Sequence, residues 1–110
     1  MLKRPEFRSK KLREGGRGLD CVLCPGKPVH SGAHLPHKAI GFGGGTGYKC
    51  PDFLIGDVCV ECHARLDSGS WRNDHQTRMR IFALTIERRF HQGLLVVRGE
   101  QHEWEQHEFV

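Results

Sequence analysis

Two Cys-x-x-Cys pairs, Cys21/Cys24 and Cys59/Cys62, constrain this chain more than any other feature. In a chain of 110 residues, two such pairs are the usual way of offering four thiolates to one zinc ion in a closed tetrahedral site. A site of this kind also answers a shortage of core. With 37% apolar residues and 14 glycines, the chain buries little side-chain surface, and a structural metal supplies the missing cohesion. The length suits a single domain. No apolar N-terminal stretch of the secretory kind is visible, and no run approaches the roughly 18 apolar residues of a membrane span. A reducing, cytoplasmic setting is therefore expected, in which paired cysteines serve metal rather than disulfides. Cys50 is left over and reads as a plain thiol.

Charge is unevenly spread. Residues 1–49 hold ten Lys/Arg against three acids, or +7, and residues 50–110 hold seven against ten, or −3, which together give the net +4. Lys3, Arg4, Arg8, Lys10, Lys11, Arg13 and Arg17 crowd the first seventeen residues, a density suited to displacing counterions from nucleic-acid phosphates. A solvated arm without a partner is the alternative. The last stretch, from Glu100 to Glu108 with His102, Trp104 and His107, is acidic and carries little signal of its own.

Between the ends, Cys21-Val-Leu-Cys24-Pro-Gly reads as a compact knuckle turned by Pro25 and Gly26. Val29 to Leu35 reads as a short strand ending near Pro36. Gly41-Phe-Gly-Gly-Gly-Thr-Gly47 must be a loop, and without a following Gly-Lys-Ser/Thr it does not match a nucleotide-binding loop. The apolar run from Asp52 to Val60 delivers the chain to the second knuckle, and a helix starts at Cys59 and runs through Leu66. Asn73 or Asp74 caps a longer helix, in which Met79, Phe82, Ala83, Ile86 and Phe90 recur at helical spacing and which Gly93 stops. That stripe is expected to be core. Leu94 to Val97 is expected to close the domain as a strand. The division is thus a basic arm over 1–18, a zinc-stabilised domain over 19–98 and an acidic tail over 99–110.

Chemistry concentrates on His34, Asp52, His63 and Asp67. On a helix, His63 and Asp67 share one face, so imidazole and carboxylate could grip one divalent cation while leaving positions open to water. A plain surface His/Asp pair is the bland alternative. Neutral His34 could take a proton from an attacking water, although eight histidines dilute that assignment.

Taken together, Ala33-His34-Leu-Pro, the glycine-rich loop, Lys49-Cys-Pro-Asp52 and Cys59-Val-Glu-Cys62-His63-Ala-Arg-Leu-Asp67 resemble the YbcO-like family of phage and prophage nucleases, a branch of the HNH or ββα-metal group. Lys11-Leu-Arg-Glu14 and Gly18-Leu-Asp-Cys21 resemble its lead-in, so the likeness spans roughly residues 8 to 97. The resemblance implies an α+β fold: a small zinc-stabilised HNH-type ββα-metal domain with an additional C-terminal helix. It implies a metal-dependent endonuclease acting on DNA phosphodiester bonds in phage or prophage recombination or replication, in the cytoplasm of a bacterial host. DNA and phage or host recombination proteins would be its partners. His34 would be the base and His63 a ligand of a catalytic Mg²⁺ or Mn²⁺. Asp52 would orient the base or hold the loop, and Zn²⁺ on the four cysteines would be structural. Lys10, Lys11, Arg13, Arg17, Lys38, Lys49, Arg65 and Arg72 would contact phosphates, which carry little sequence information.

Three departures stand out. Ala33 occupies the position before the base where HNH enzymes usually carry a metal ligand. Asp67 could replace that ligand from the helix. Asp52 is eleven residues before His63, about two more than usual, which leaves Asp57 as a rival. Two other classes remain open: a zinc-binding module that contacts nucleic acid or protein without cutting, and a c-type cytochrome, because Cys59-Val-Glu-Cys62-His63 also spells a haem attachment signature. The second lacks an export signal and leaves Cys21 and Cys24 unexplained.

Overall fold

The computed structural model describes residues 7–35, 50–68 and 70–99. In chain order these form α1 (Lys10–Glu14), β1 (Ala33–His34), β2 (Ile55–Gly56), α2 (Val60–Asp67) and α3 (His75–His91), a small α+β arrangement. The glycine-rich loop and Lys38 and Lys49 lie outside the described residues, as does the acidic stretch from Glu100.

The first knuckle is a tight reversal closed by an antiparallel bridge between Asp20 and Pro28. The Cys21 N–H donates to the Lys27 carbonyl at 2.7 Å, and Gly26 takes φ +86°, the left-handed turn that a side chain would oppose. β1 and β2 pair antiparallel, Ala33 opposite Gly56 and His34 opposite Ile55. The expected strand from Val29 to Leu35 contracts to these two residues of β1, since Pro28 and Gly32 interrupt regular pairing ahead of it. β2 lies so close to α3 that a methyl at Gly56 would press on the Ile81 side chain.

α2 begins one residue after the expected start, with Cys59 as its cap. The longer helix is capped by Asp74, whose carboxylate accepts from the Thr77 N–H at 3.1 Å and from the Thr77 hydroxyl at 2.7 Å. It ends at Gln92 and Gly93, the latter at φ +75°. No strand follows over Leu94 to Val97 among the described residues.

Cys21, Ala33, Leu35, Val58, Cys59, Cys62, Leu66 and Ile81 make the central cluster. Full burial of Val58, Leu66 and Ile81 contributes about 1.5–3 kcal/mol each. The apolar stripe expected to be core is not the buried face of α3. Ile81, Thr85 and Arg89 are buried, whereas Met79 is 64% exposed. At 100° per residue the buried row lies about a third of a turn from the stripe. Phe82, between the two, packs against the cluster, while Met79, Phe82, Ala83, Ile86 and Phe90 line an open groove of about 600 Å³.

The reason is an ion pair rather than an apolar contact. Arg89, fully buried, donates from Nη1 and Nη2 to the two oxygens of Asp57, at 2.7 and 2.5 Å. Arg88 adds a third contact at 3.1 Å, and the Asp57 N–H donates to the Thr85 hydroxyl at 2.9 Å. Arg89 Nε reaches on to the Leu12 carbonyl at 2.8 Å, tying α3 to α1. From Phe7 onward, the arm expected ahead of the domain is therefore packed into it, with Leu12 buried in the interior.

Candidate functional site

The four cysteines converge although 38 residues separate Cys21 from Cys59 in sequence: all four Sγ atoms lie within 4.8 Å of one another. Cys62 Sγ is 3.9 Å from Cys21 Sγ and 3.6 Å from Cys24 Sγ. A tetrahedral ion with metal–sulfur bonds of about 2.3 Å requires sulfur separations of about 3.8 Å, so the set could hold a metal ion such as zinc. Burial pushes the Cys62 thiol well above its ordinary range, and the neighbouring thiols add to the effect. Burial acts in the same sense on Cys59, but the Cys62 N–H and the surrounding thiols outweigh it and lower that thiol. Four thiolates this close need a cation to neutralise them. The knuckle and α2 are further linked by an exposed ion pair, Lys27 to Glu61 at 2.8 Å. Cys59 and Cys62 thus face the other cysteine pair, an arrangement suited to one shared ion rather than to two thioether links with a haem.

The second cluster forms around Asp52, which is fully buried. Its Oδ1 accepts from His34 Nε2 at 2.8 Å and from Arg8 Nη1 at 3.1 Å. Its Oδ2 accepts from the Ser9 N–H at 2.9 Å and from Arg13 Nη1 at 3.1 Å. Burial alone would raise this carboxyl. The His34 and Ser9 hydrogen bonds and the charges of Arg13 and Arg8 more than offset it and hold Asp52 below the usual carboxylate range. An ionised carboxylate only accepts, so Nε2 of His34 is the donor in this bond. Alternation along β1 sets the direction: Ala33 and Leu35 are buried in the central cluster, and the half-buried His34 occupies the other face. Asp57, the rival for this role, is committed to Arg88, Arg89 and Thr85 instead.

His63 and Asp67 do meet on the exposed face of α2, Nε2 to Oδ2 at 3.4 Å. An octahedral ion with bonds of about 2.1 Å places adjacent ligands about 3 Å apart, so the two atoms suit a shared ion open to solvent. Among the described residues, the four cysteines are the group of three or more His, Cys, Asp and Glu gathered for a metal, and no hydrogen bond or ion pair joins the His63–Asp67 pair to His34 or Asp52. Ala33, next to His34 on β1, belongs to the buried cluster that includes Cys62 and Leu66.

Of the basic candidates, Lys10, Lys11, Arg17, Arg65 and Arg72 are exposed, and the Arg65 guanidinium lies 5.2 Å from the centre of the Trp71 ring. Arg13 stands apart, held at Asp52. The sequence gives no sign that Arg13 and Arg8 converge on Asp52, from which 39 and 44 residues separate them. No protein-family model, curated protein or solved structure matches the chain. Among the described residues, no helix is long and apolar enough to cross a membrane.

Proposed function

We propose that the chain is a metal-dependent endonuclease of the HNH type, hydrolysing DNA phosphodiester bonds with His34 as general base. The observation that carries this reading is the 2.8 Å hydrogen bond between His34 Nε2 and the buried Asp52 carboxylate, which would leave Nδ1 of a neutral, half-buried ring as the proton acceptor. Asp52 fixes the tautomer and orientation of the imidazole, and the charges of Arg8 and Arg13 keep Asp52 ionised while it does so. His34 then takes a proton from water as the water attacks phosphorus.

His63 and Asp67 would hold a Mg²⁺- or Mn²⁺-type cation, which when bound polarises the scissile phosphate and neutralises charge on the departing oxygen. Zn²⁺ on Cys21, Cys24, Cys59 and Cys62 has no open position and acts on structure alone, locking the start of α2 to the first knuckle. The exposed lysines and arginines contact phosphates without reading bases, so sequence preference is weak. The likeness of the Ala33-His34 and Cys59-to-Asp67 blocks to YbcO-like nucleases supports the same reading and favours a phage or prophage setting.

A second reading has its own observation. Ala33 places no ligand where one is usual and is buried in apolar contacts, as expected of a zinc-stapled module that binds nucleic acid or protein without cutting it. Nicking of supercoiled and single-stranded circles by purified protein, with Mg²⁺ or Mn²⁺ and with His34→Ala alongside, separates the two. Metal-dependent nicking lost in the variant supports the nuclease. Nicking that survives in the variant overturns His34 as base, and no cutting of any DNA form favours the binding module.

A further inference from the structure

The most informative unused feature is the way α1 enters the His34 cluster. Arg13 is tied to the same carboxylate as His34, on the other oxygen. A guanidinium carries five N–H donors in a planar fork. Arg13 gives Nη1 to Asp52, its Nε lies 3.6 Å from Glu14, and 34% of its side chain faces solvent. Its backbone is equally fixed. The Arg13 N–H donates to the Ser9 carbonyl at 3.0 Å, Leu12 anchors α1 in the interior, and a methyl at Gly32, two residues before His34, would collide with the Arg13 carbonyl oxygen.

Arg13 is oriented from two sides, by Asp52 and by Glu14. A positive charge that is already oriented costs little to recruit for an anion.

Resting on the nuclease reading, we infer that Arg13 is the phosphate-binding residue of the His34 site. One edge of its guanidinium is fixed by Asp52, and the remaining donors receive the non-bridging oxygens of the phosphodiester next to His34. Asp52 thereby sets the distance between the base and the bound phosphate. Lys10, Lys11 and Arg17, exposed and unpinned by that carboxylate, add attraction without such a fixed position.

The test is DNA binding by anisotropy over about 50–200 mM salt, using labelled single- and double-stranded oligonucleotides, together with steady-state nicking. Arg13→Ala is compared with Arg98→Ala, which removes the same charge from an exposed turn. For Arg13→Ala, the slope of log affinity against log salt should fall by about one and KM should rise about tenfold. His34→Ala should instead lower kcat and leave the salt slope unchanged. Arg13→Gln keeps a donor for Asp52 without the charge and provides the same readout if the alanine variant does not fold. If both Arg13 variants match Arg98→Ala in slope and KM, or lose only thermal stability, Arg13 is a structural contact and the inference is overturned. Failure of the wild type to cut with either cation overturns the nuclease reading itself, an outcome distinct from wild-type cutting with an unaltered Arg13 slope.

Discussion

Asp52→Asn separates the two jobs assigned to that carboxylate, because the amide has the same shape but only one accepting oxygen. Four donors converge on Asp52: His34 and Arg8 on Oδ1, the Ser9 N–H and Arg13 on Oδ2. If the amide oxygen stays toward His34, the new NH₂ group confronts the Ser9 N–H and Arg13, donor against donor. Arg13 is 34% exposed and can turn to water, so its loss counts for little. The Ser9 N–H is less able to turn away, and leaving it unpaired costs about 1–3 kcal/mol. If the amide instead turns its nitrogen to His34, Ser9 and Arg13 stay satisfied, and the donor displaced is Arg8, which is 37% exposed and also donates to the Cys50 carbonyl. The imidazole must then accept at Nε2 and carry its proton on Nδ1, which removes the base. The second arrangement is the cheaper one. Asp52→Asn should therefore unfold in urea with a loss of no more than about 3 kcal/mol, against a total of roughly 5–15 kcal/mol for a domain. Its nicking kcat should fall by about 10²–10⁴, the range over which a misdirected general base is felt, while DNA affinity stays close to wild type. A folded Asp52→Asn protein that nicks at the wild-type rate would refute the claim that this carboxylate directs the proton of His34.

The pH dependence of stability supplies a second check. Asp52 is held below its ordinary range in the folded chain, so the unfolded chain takes up the proton first as pH falls. Its contribution is present above the unfolded carboxylate value of about 3.9 and disappears as pH drops through the lower folded value. The urea stability gap between wild type and Asp52→Asn should narrow when pH is lowered from 7 to about 3. Arg89→Ala strands the buried Asp57 with Arg88 as its remaining guanidinium partner and should cost about 3–5 kcal/mol in urea unfolding; a loss under about 1 kcal/mol would show that the pair does not hold α3 in place. Elemental analysis should find about one zinc per chain, lost in Cys62→Ser with a falling Tm and retained in Cys50→Ser. Equal zinc content in both variants would remove Cys62 from the metal site.

Much of the candidate site was legible because it is written in local spacing. Cys-x-x-Cys places two sulfurs on one turn, His63 and Asp67 are one helical step apart, and Asp74 precedes a periodic run as a cap should. The link between His34 and Asp52 is a different case. Eighteen residues separate them, and nothing in their spacing chooses Asp52 over Asp57. The choice is made by partners from α1 and α3: Arg8 and Arg13 gather at Asp52, and Arg88 and Arg89 gather at Asp57. A basic N-terminal segment looks like a nucleic-acid tether in sequence, since charge alone cannot distinguish a solvated arginine from one that pairs with a buried acid.

The sequence by itself determined the four-sulfur site, the two longer helices and the residues that share a helical face, but not α1, which lies in the stretch read as a basic arm. The tertiary structure decided which face is buried. Along α3 the periodic stripe of Met79, Ala83, Ile86 and Phe90 is the most apolar, yet Ile81, Thr85 and Arg89 turn inward. Hydrophobic periodicity records the preference of each side chain for leaving water. It does not record a carboxylate 32 residues away in sequence whose pairing with Arg89 offsets the cost of burying a guanidinium.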